Sequence, residues 1–340
     1  LAAAVLAVTV PTKVDAADKV KAVASFSILA DMVRNVGGER VEVTELVGPD
    51  GDAHEFSPTP ADAKKLARAD IFFVNGLGFE GWMERLETSS GFDGTTVVAT
   101  KGVKALTVEE EDKHLHDTVP EEHAKDDHNE HDHDNHDRDK HAKNDHDEHD
   151  HDHDKHAGAH HHDHGDTDPH AWQSLANGAI YVTNIRDGLV AADPDGKAVY
   201  EANAREYLAA LKKEDSAVKA ALAALPQTHR RIITSHDAFG YFGEAYGLEV
   251  LAPEGVSTAS EPSAKDVAKI IRQIREAKIP AVFLENIANA RMLEQIAKES
   301  GARIGGTLYS DALSEADGLA PTYIDMFRYN TKTLTTALSS

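Results

Sequence analysis

One long stretch of histidine and acidic residues most constrains how this chain can fold. Between His114 and His164 lie 17 of its 21 histidines, and most of the remaining residues there are Asp, Glu, Lys or Asn. Such a segment lacks the apolar side chains that would offset the entropy lost on ordering it. The sequence therefore predicts an unstructured insertion over 113–165, so any folded core must come from the residues on either side.

The charge of the chain is concentrated in the same region. The net charge is −24, of which −17 falls between residues 109 and 168. A strongly negative chain is a poor partner for nucleic acid, whose phosphates bind Lys and Arg, and no nucleic-acid partner is expected. The 340 residues include no cysteine, which excludes disulfides and thiolate metal ligands.

The first residues have the composition of a secretory signal. Residues 1–10 are almost purely apolar, and small residues precede Ala17. This pattern predicts that 1–16 is the remnant of a signal peptide, with a buried N-terminal strand as the alternative. A soluble periplasmic protein is expected, and the absence of cysteine at the predicted cleavage point disfavours a lipid anchor.

Strands and helices alternate on both sides of the insertion. Strands are predicted at 19–26, 41–47, 71–75 and 95–99, and again at 231–235, 248–252, 281–285 and 303–307. Helical patterns separate most of these strands, although none is predicted between 71–75 and 95–99, and the alternation indicates parallel α/β sheets. A long helix of about 45 Å is predicted at 194–225, long enough to join two domains. We therefore predict an N-terminal lobe over 17–193, a linking helix over 194–225, and a C-terminal lobe over 226–340.

Four residues outside the insertion are candidates for a binding site. His54, His236 and Asp311 each follow a predicted strand, and His170 stands at the entry to a helix. The crevice at the carboxyl ends of parallel strands is where such sheets bind ligands. Two of the four fall in each half, so we predict that both lobes grip one ion in the cleft between them.

Three imidazoles and one carboxylate are a suitable ligand set for zinc, which takes four nitrogen, oxygen or sulfur ligands tetrahedrally. Manganese prefers more oxygen ligands and a higher coordination number. A lone histidine at a strand end is more often a surface or capping residue, and His229 is interpreted in that way. The shared location of the other three histidines sets them apart.

Five segments, taken in order, resemble a known family. They are GPDGDAHEFSPTP at 48–60, NGLGFE at 75–80, DPHAW at 168–172, TSHDAFGYF at 234–242 and LYSD at 308–311. With them the chain resembles the zinc and manganese solute-binding proteins of ABC importers, the group called cluster A-I, everywhere except in the insertion. The resemblance implies two (β/α)4 lobes joined by a rigid helix. It also implies a metal ion held by His54, His170, His236 and Asp311.

The resemblance also bears on which metal is bound. Manganese-binding members usually carry Glu at the position of His236, so histidine there favours zinc. Some members place Glu directly before the first histidine ligand, but Ala53 stands there in this chain and no such carboxylate is expected. The insertion resembles that of zinc-specific members. One tight zinc site is predicted in the cleft, with weaker sites on the insertion because ordering a flexible chain costs about 1–2 kcal/mol per residue. A solvated acidic spacer is the alternative interpretation of the insertion.

The expected function is capture of zinc in the periplasm and its delivery to the membrane permease of an ABC importer. The protein is expected to be a monomer and not an enzyme, with a periplasmic zinc chaperone as a further candidate partner. A manganese importer component and a periplasmic zinc buffer remain alternatives, although a buffer needs no paired lobes. A zinc hydrolase is disfavoured because Asp311 would fill the open position that catalysis needs, and no His-Glu-x-x-His motif is present.

Overall fold

The computed structural model describes residues 19–107, 167–260 and 262–339. The predicted signal remnant at 1–16 and the histidine-rich insertion at 113–165 lie outside these residues.

The first lobe is built on a four-stranded parallel sheet in the order β2-β1-β3-β4. Its strands are β1 Val20–Phe26, β2 Val41–Val47, β3 Ile71–Val74 and β4 Thr95–Val98. Its helices are α1 Ser27–Gly37, α2 Pro60–Leu66, α3 Met83–Ser90 and α4 Leu175–Ala192. Every residue of β3 is buried, as expected of a strand covered on both faces.

The start of α2 is fixed by its own sequence. The Thr59 hydroxyl accepts a hydrogen bond from the Asp62 backbone N–H, and the Asp62 carboxylate accepts one from the Thr59 backbone N–H. Pro60 occupies the first helical turn. This reciprocal cap defines where the long loop after β2 must end. The loop between β2 and α2 is the one that carries His54.

The second lobe repeats the same strand arrangement in the order β6-β5-β7-β8, again entirely parallel. Its strands are β5 Arg231–Ile233, β6 Glu249–Leu251, β7 Ala281–Glu285 and β8 Arg303–Leu308. Its helices are α6 Gly240–Tyr246, α7 Ala264–Ala277, α8 Ala290–Ser300 and α9 Tyr323–Leu338. The prediction of two α/β lobes with parallel sheets is confirmed.

A 27-residue helix, α5 Lys197–Ala223, connects the two lobes in sequence. Its residue Asn203 donates to the Val36 carbonyl of the first lobe at 3.0 Å. Its residue Glu214 accepts from Arg328 on α9 of the second lobe, also at 3.0 Å. The connecting helix is therefore attached to both lobes.

The two lobes share one apolar core. A continuous cluster of buried residues runs from β1 through Phe26 and Trp172 to Tyr323 and Phe327 on α9. A smaller, separate cluster lies within the second lobe, around Ile233 and Val282. Because the shared cluster contributes apolar burial between the lobes, it stabilises their contact with each other. Among the described residues, no helix combines the length and apolarity needed to cross a membrane.

Candidate metal centre

The structure brings the four candidate residues together between the lobes. His54 lies in the β2–α2 loop, and His170 directly precedes the short turn that leads into α4. His236 and Asp311 follow β5 and β8 of the second lobe. One potential ligand atom from each residue lies within 4.8 Å of all the others. Each lobe thus contributes two side chains to one point.

The three imidazoles converge on a single carboxylate oxygen. Asp311 Oδ2 lies 3.3 Å from Nε2 of His54, 3.7 Å from Nε2 of His170 and 3.2 Å from Nε2 of His236. Asp311 is completely buried, and its Oδ1 has no hydrogen-bond partner among the described residues. A buried carboxylate in that position is costly unless a cation accompanies it. Three nitrogens and a carboxylate are also donors that zinc takes in a tetrahedron, so the residues fit a bound metal ion.

Two further carboxylates lie on the side of His170 and His236 that faces away from Asp311. Asp168 Oδ1 accepts the backbone N–H of His170 at 2.8 Å and lies 2.7 Å from Nδ1 of its ring. Glu285 Oε1 accepts the backbone N–H groups of Ser235 and His236, at 2.7 and 2.9 Å. Glu285 Oε2 lies 2.7 Å from Nδ1 of the His236 ring. Both carboxylates therefore leave Nε2 as the nitrogen that faces Asp311.

Sequence reasoning did not assign either carboxylate a role in the site. Asp168 lies within the DPHAW segment, two residues before the candidate ligand His170. This proximity could have indicated that Asp168 contacts the histidine. Glu285 was recognised only as the last residue of a predicted strand. Its contact with His236 spans 49 residues and arises because β7 lies beside β5 in the sheet.

His54 is the ligand candidate nearest to solvent. Its side chain is 4% exposed, whereas those of His170, His236 and Asp311 are 0% exposed. Its ring packs against that of Phe79 in a T-shaped arrangement, with ring centroids 4.8 Å apart. Of the four side chains, that of His54 alone has measurable contact with solvent.

The charges in the site shift the pKa values of its members in opposite directions. Burial lowers the pKa of His170, but the charges of Asp311 and Asp168 outweigh burial and raise it to about 9. The pKa of His236 is also raised well above its usual range, because Glu285 and Asp311 outweigh burial. Burial is the stronger influence at His54 and lowers its pKa. Burial acts to raise the pKa of Asp311, yet the neighbouring His236 and His170 hold it well below its usual range.

The loop that carries His54 is held by the opposite lobe. Asp52 Oδ1 accepts the His54 backbone N–H at 2.8 Å, while Asp52 Oδ2 accepts from the Thr258 hydroxyl of the second lobe at 2.7 Å. The Asp50 backbone N–H donates to the carbonyl of Leu313 at 2.9 Å. The carboxylate of Asp52 therefore connects the backbone of His54, a candidate ligand, to the second lobe.

Thr258→Val is expected to speed the release of a bound metal ion from the protein, with zinc as the probe. The change removes a hydrogen bond to a charged group, a contact worth about 1.5–3 kcal/mol, from the closed arrangement alone. We expect about a tenfold rise in the dissociation rate, measured as transfer of zinc to an excess of chelator in a stopped-flow instrument. Thr258→Ser keeps the hydroxyl and serves as the control. Equal rates for the two variants would show that this contact does not hold the site closed.

The amino-acid sequence matches a known protein family over most of its length. Residues 22–337 match the family described as ZnuA, "Zinc-uptake complex component A periplasmic". The manganese-binding lipoprotein MntA of Halalkalibacterium halodurans is 32% identical over 320 residues, covering 94% of this chain and 88% of MntA.

Two solved structures share the fold over nearly their whole length. The periplasmic zinc binding protein TroA from Treponema pallidum is 26% identical with a TM-score of 0.76, covering 94% of this chain and 99% of TroA. The manganese-bound periplasmic metal binding protein from Candidatus Liberibacter asiaticus is 28% identical with a TM-score of 0.72, covering 94% of this chain and all of that one. Relatives of this chain are thus named for more than one metal.

Proposed function

The chain belongs to the family of the periplasmic zinc-uptake component, whose members are metal-binding solute-binding proteins of ABC importers, and we propose that the cargo of this chain is zinc. In this proposal the protein captures one zinc ion in the periplasm between its two lobes. It then delivers the ion to the permease of an ABC importer in the membrane. The ligands are His54, His170, His236 and Asp311.

The observation that carries the proposal is the ligand set. Three imidazole Nε2 atoms surround one carboxylate oxygen at 3.2–3.7 Å. The names of the relatives include both manganese and zinc, so similarity alone does not select the metal. Nitrogen-rich coordination with a single carboxylate suits zinc better than manganese, which prefers oxygen ligands.

Transport explains the geometry better than hydrolysis does. A catalytic zinc ion keeps one coordination position open for water, and the four side chains here would fill a tetrahedron. Because His54 and His170 come from one lobe and His236 and Asp311 from the other, separating the lobes would divide the ligand set. A reversible carrier needs such a means of release, and a hydrolase does not.

We propose two roles for the regions outside the described residues. The histidine-rich insertion at 113–165 provides additional, weaker zinc sites on neighbouring imidazoles, and the residues at 1–16 direct the chain to the periplasm. A periplasmic zinc buffer is the competing function, since the insertion alone could perform it. The buffer function predicts that all zinc binding is lost when 113–165 is removed. Our proposal predicts that one tight site remains.

The metal preference can be tested at His236. We expect the wild-type protein to bind zinc more tightly than manganese, and His236→Glu to reduce that preference at least about tenfold by replacing a nitrogen ligand with oxygen. The measurement is a competition titration with both metals on protein lacking 113–165, so that the additional sites do not contribute.

The control for this titration is His229→Glu, which introduces the same side chain away from the site. His229 Nδ1 contacts the carbonyl of Leu338 at 2.7 Å and is not part of the four-residue group. Equal or tighter manganese binding by the wild-type protein would contradict zinc as the cargo. Loss of zinc binding on deleting 113–165 would favour the buffer function or a ligand supplied by the insertion, and either result would contradict the four-residue site.

A further inference from the structure

Two buried carboxylates support histidines of the site, but they do so with different oxygens. Asp168 directs a single oxygen, Oδ1, at both the backbone N–H and the ring Nδ1 of His170. Glu285 uses both oxygens: Oε1 accepts from two backbone N–H groups, and Oε2 lies 2.7 Å from the ring Nδ1 of His236 as an ion-pair contact. This difference determines what a neutral amide could do in each place.

At Glu285 the two oxygens have distinct neighbours. The backbone N–H groups of Ser235 and His236 can only donate, so the atom 2.7 and 2.9 Å away from them must accept. The other oxygen lies 2.7 Å from Nδ1 of His236, and the Glu285 residue is only 4% exposed. An acceptor at that place keeps the proton on Nδ1 and leaves the lone pair of Nε2 free for a metal ion.

A glutamine at this position would have only one workable orientation. Its amide oxygen would have to stay on the two backbone N–H groups, because the opposite orientation would set NH2 against two donors. The NH2 group would then face Nδ1 of His236. A donor there favours the tautomer that carries its proton on Nε2, which has no lone pair left for a metal ion.

An asparagine at Asp168 would meet different surroundings. Its amide oxygen could keep both contacts that Oδ1 makes with His170, so the proton would remain on Nδ1 of that ring. Its NH2 group would take the place of Oδ2, which is buried and has no hydrogen-bond partner among the described residues. An unsatisfied buried donor lowers the stability of the fold but does not change the tautomer of the His170 ring.

We propose that Glu285 is a positioning residue that selects Nε2 of His236 as the metal-binding nitrogen, and that this role requires an acceptor at both carboxylate oxygens. Asp168 performs the corresponding task for His170 with one oxygen and tolerates an amide. The inference deepens the proposed function and rests on it, since it takes His236 to be a ligand.

The test compares Glu285→Gln with Asp168→Asn in the full chain. We expect Glu285→Gln to weaken zinc binding by about 10- to 100-fold, the usual range for lost support of a histidine ligand. Asp168→Asn is expected to lose less than about tenfold in affinity. Affinity is measured by competition with a chelator strong enough to keep the weaker sites empty. The melting temperature of the metal-free proteins should show the reverse order, with the larger decrease in Asp168→Asn.

Nitrogen-15 NMR of histidine-labelled, zinc-loaded wild-type protein gives a second readout that needs no variant. We expect the metal on Nε2 of His236 and a proton on Nδ1. Metal bound at Nδ1, or equal loss of affinity in the two amide variants, would overturn the role given to Glu285, as would unchanged affinity in Glu285→Gln. Absence of tight zinc binding by the wild-type protein would instead overturn the proposed function.

Discussion

Asp311→Asn is expected to lower the zinc affinity of the protein by about 100-fold or more. Structural zinc sites bind with apparent free energies of about 10–16 kcal/mol, so an even share for each of the four proposed ligands is roughly 3 kcal/mol. Asparagine preserves the volume of the side chain but replaces an anionic oxygen with a neutral amide. Asp311 is also the group on which all three Nε2 atoms converge. Zinc affinity measured by chelator competition at pH 8 provides the check.

The matched control for this change is Asp317→Asn. Asp317 lies in the same connection between β8 and α9, but its side chain is exposed and outside the four-residue group. Both variants lose one negative charge from the same lobe, so a difference between them isolates the role of Asp311 at the metal. Comparable affinities for the two variants would mean that Asp311 is not a ligand.

The sequence could predict where the four side chains lie because each is tied to a local feature. Three of them follow apolar runs that form strands, and parallel strands end at a common edge. Pro194 and Pro226 similarly bracket the long helix, which was predicted over 194–225 and extends over Lys197–Ala223 after a short turn. Prolines restrict helices by local sterics, so neighbouring residues carry that information.

Features that depend on distant partners were not predictable in this way. Strand β5 was expected to reach Ser235 but ends at Ile233, and the Ser235 backbone N–H donates to Glu285 rather than to a neighbouring strand. Helix α3 was also missed, because Leu86 is the only residue it buries and its apolar pattern is too short to recognise. The support of His236 by Glu285 depends on which strands are neighbours, and strand order is not evident from local composition.

The zinc affinity of the cleft should increase steeply with pH, and the increase should continue well above pH 7. An ordinary histidine has a pKa of about 6.5, so the sequence alone predicts that zinc binding weakens as the pH falls from 7 to 5. In the structure, burial lowers the pKa of His170, but Asp311 and Asp168 outweigh it and raise the pKa to about 9. The pKa of His236 is likewise raised well above its usual range by Glu285 and Asp311, against the effect of burial. The expected window therefore extends from acidic pH up to about 9.

The sign of the effect follows from which form of each ring binds metal. Zinc needs a neutral Nε2, so at pH 7 it must displace protons from His170 and His236, and each displaced proton changes the affinity about tenfold per pH unit. Because the folded pKa of His170 lies above its unfolded value, the protonated ring stabilises the metal-free fold below about pH 6.5. That stabilisation is lost as pH rises towards 9. The increase in melting temperature caused by zinc should therefore be small at pH 6 and large at pH 8.5.

Calorimetry in two buffers of different ionisation enthalpy counts the protons directly. We expect one to two protons to be released per zinc ion at pH 7.5, in a titration of protein lacking 113–165. Asp311→Asn should release fewer protons, because Asp311 contributes to the raised pKa of both His170 and His236. A zinc affinity that is constant from pH 6 to 8.5 would contradict a site whose imidazoles have pKa values raised by Asp311. Proton release that is unaffected by Asp311→Asn would show that other groups hold those protons.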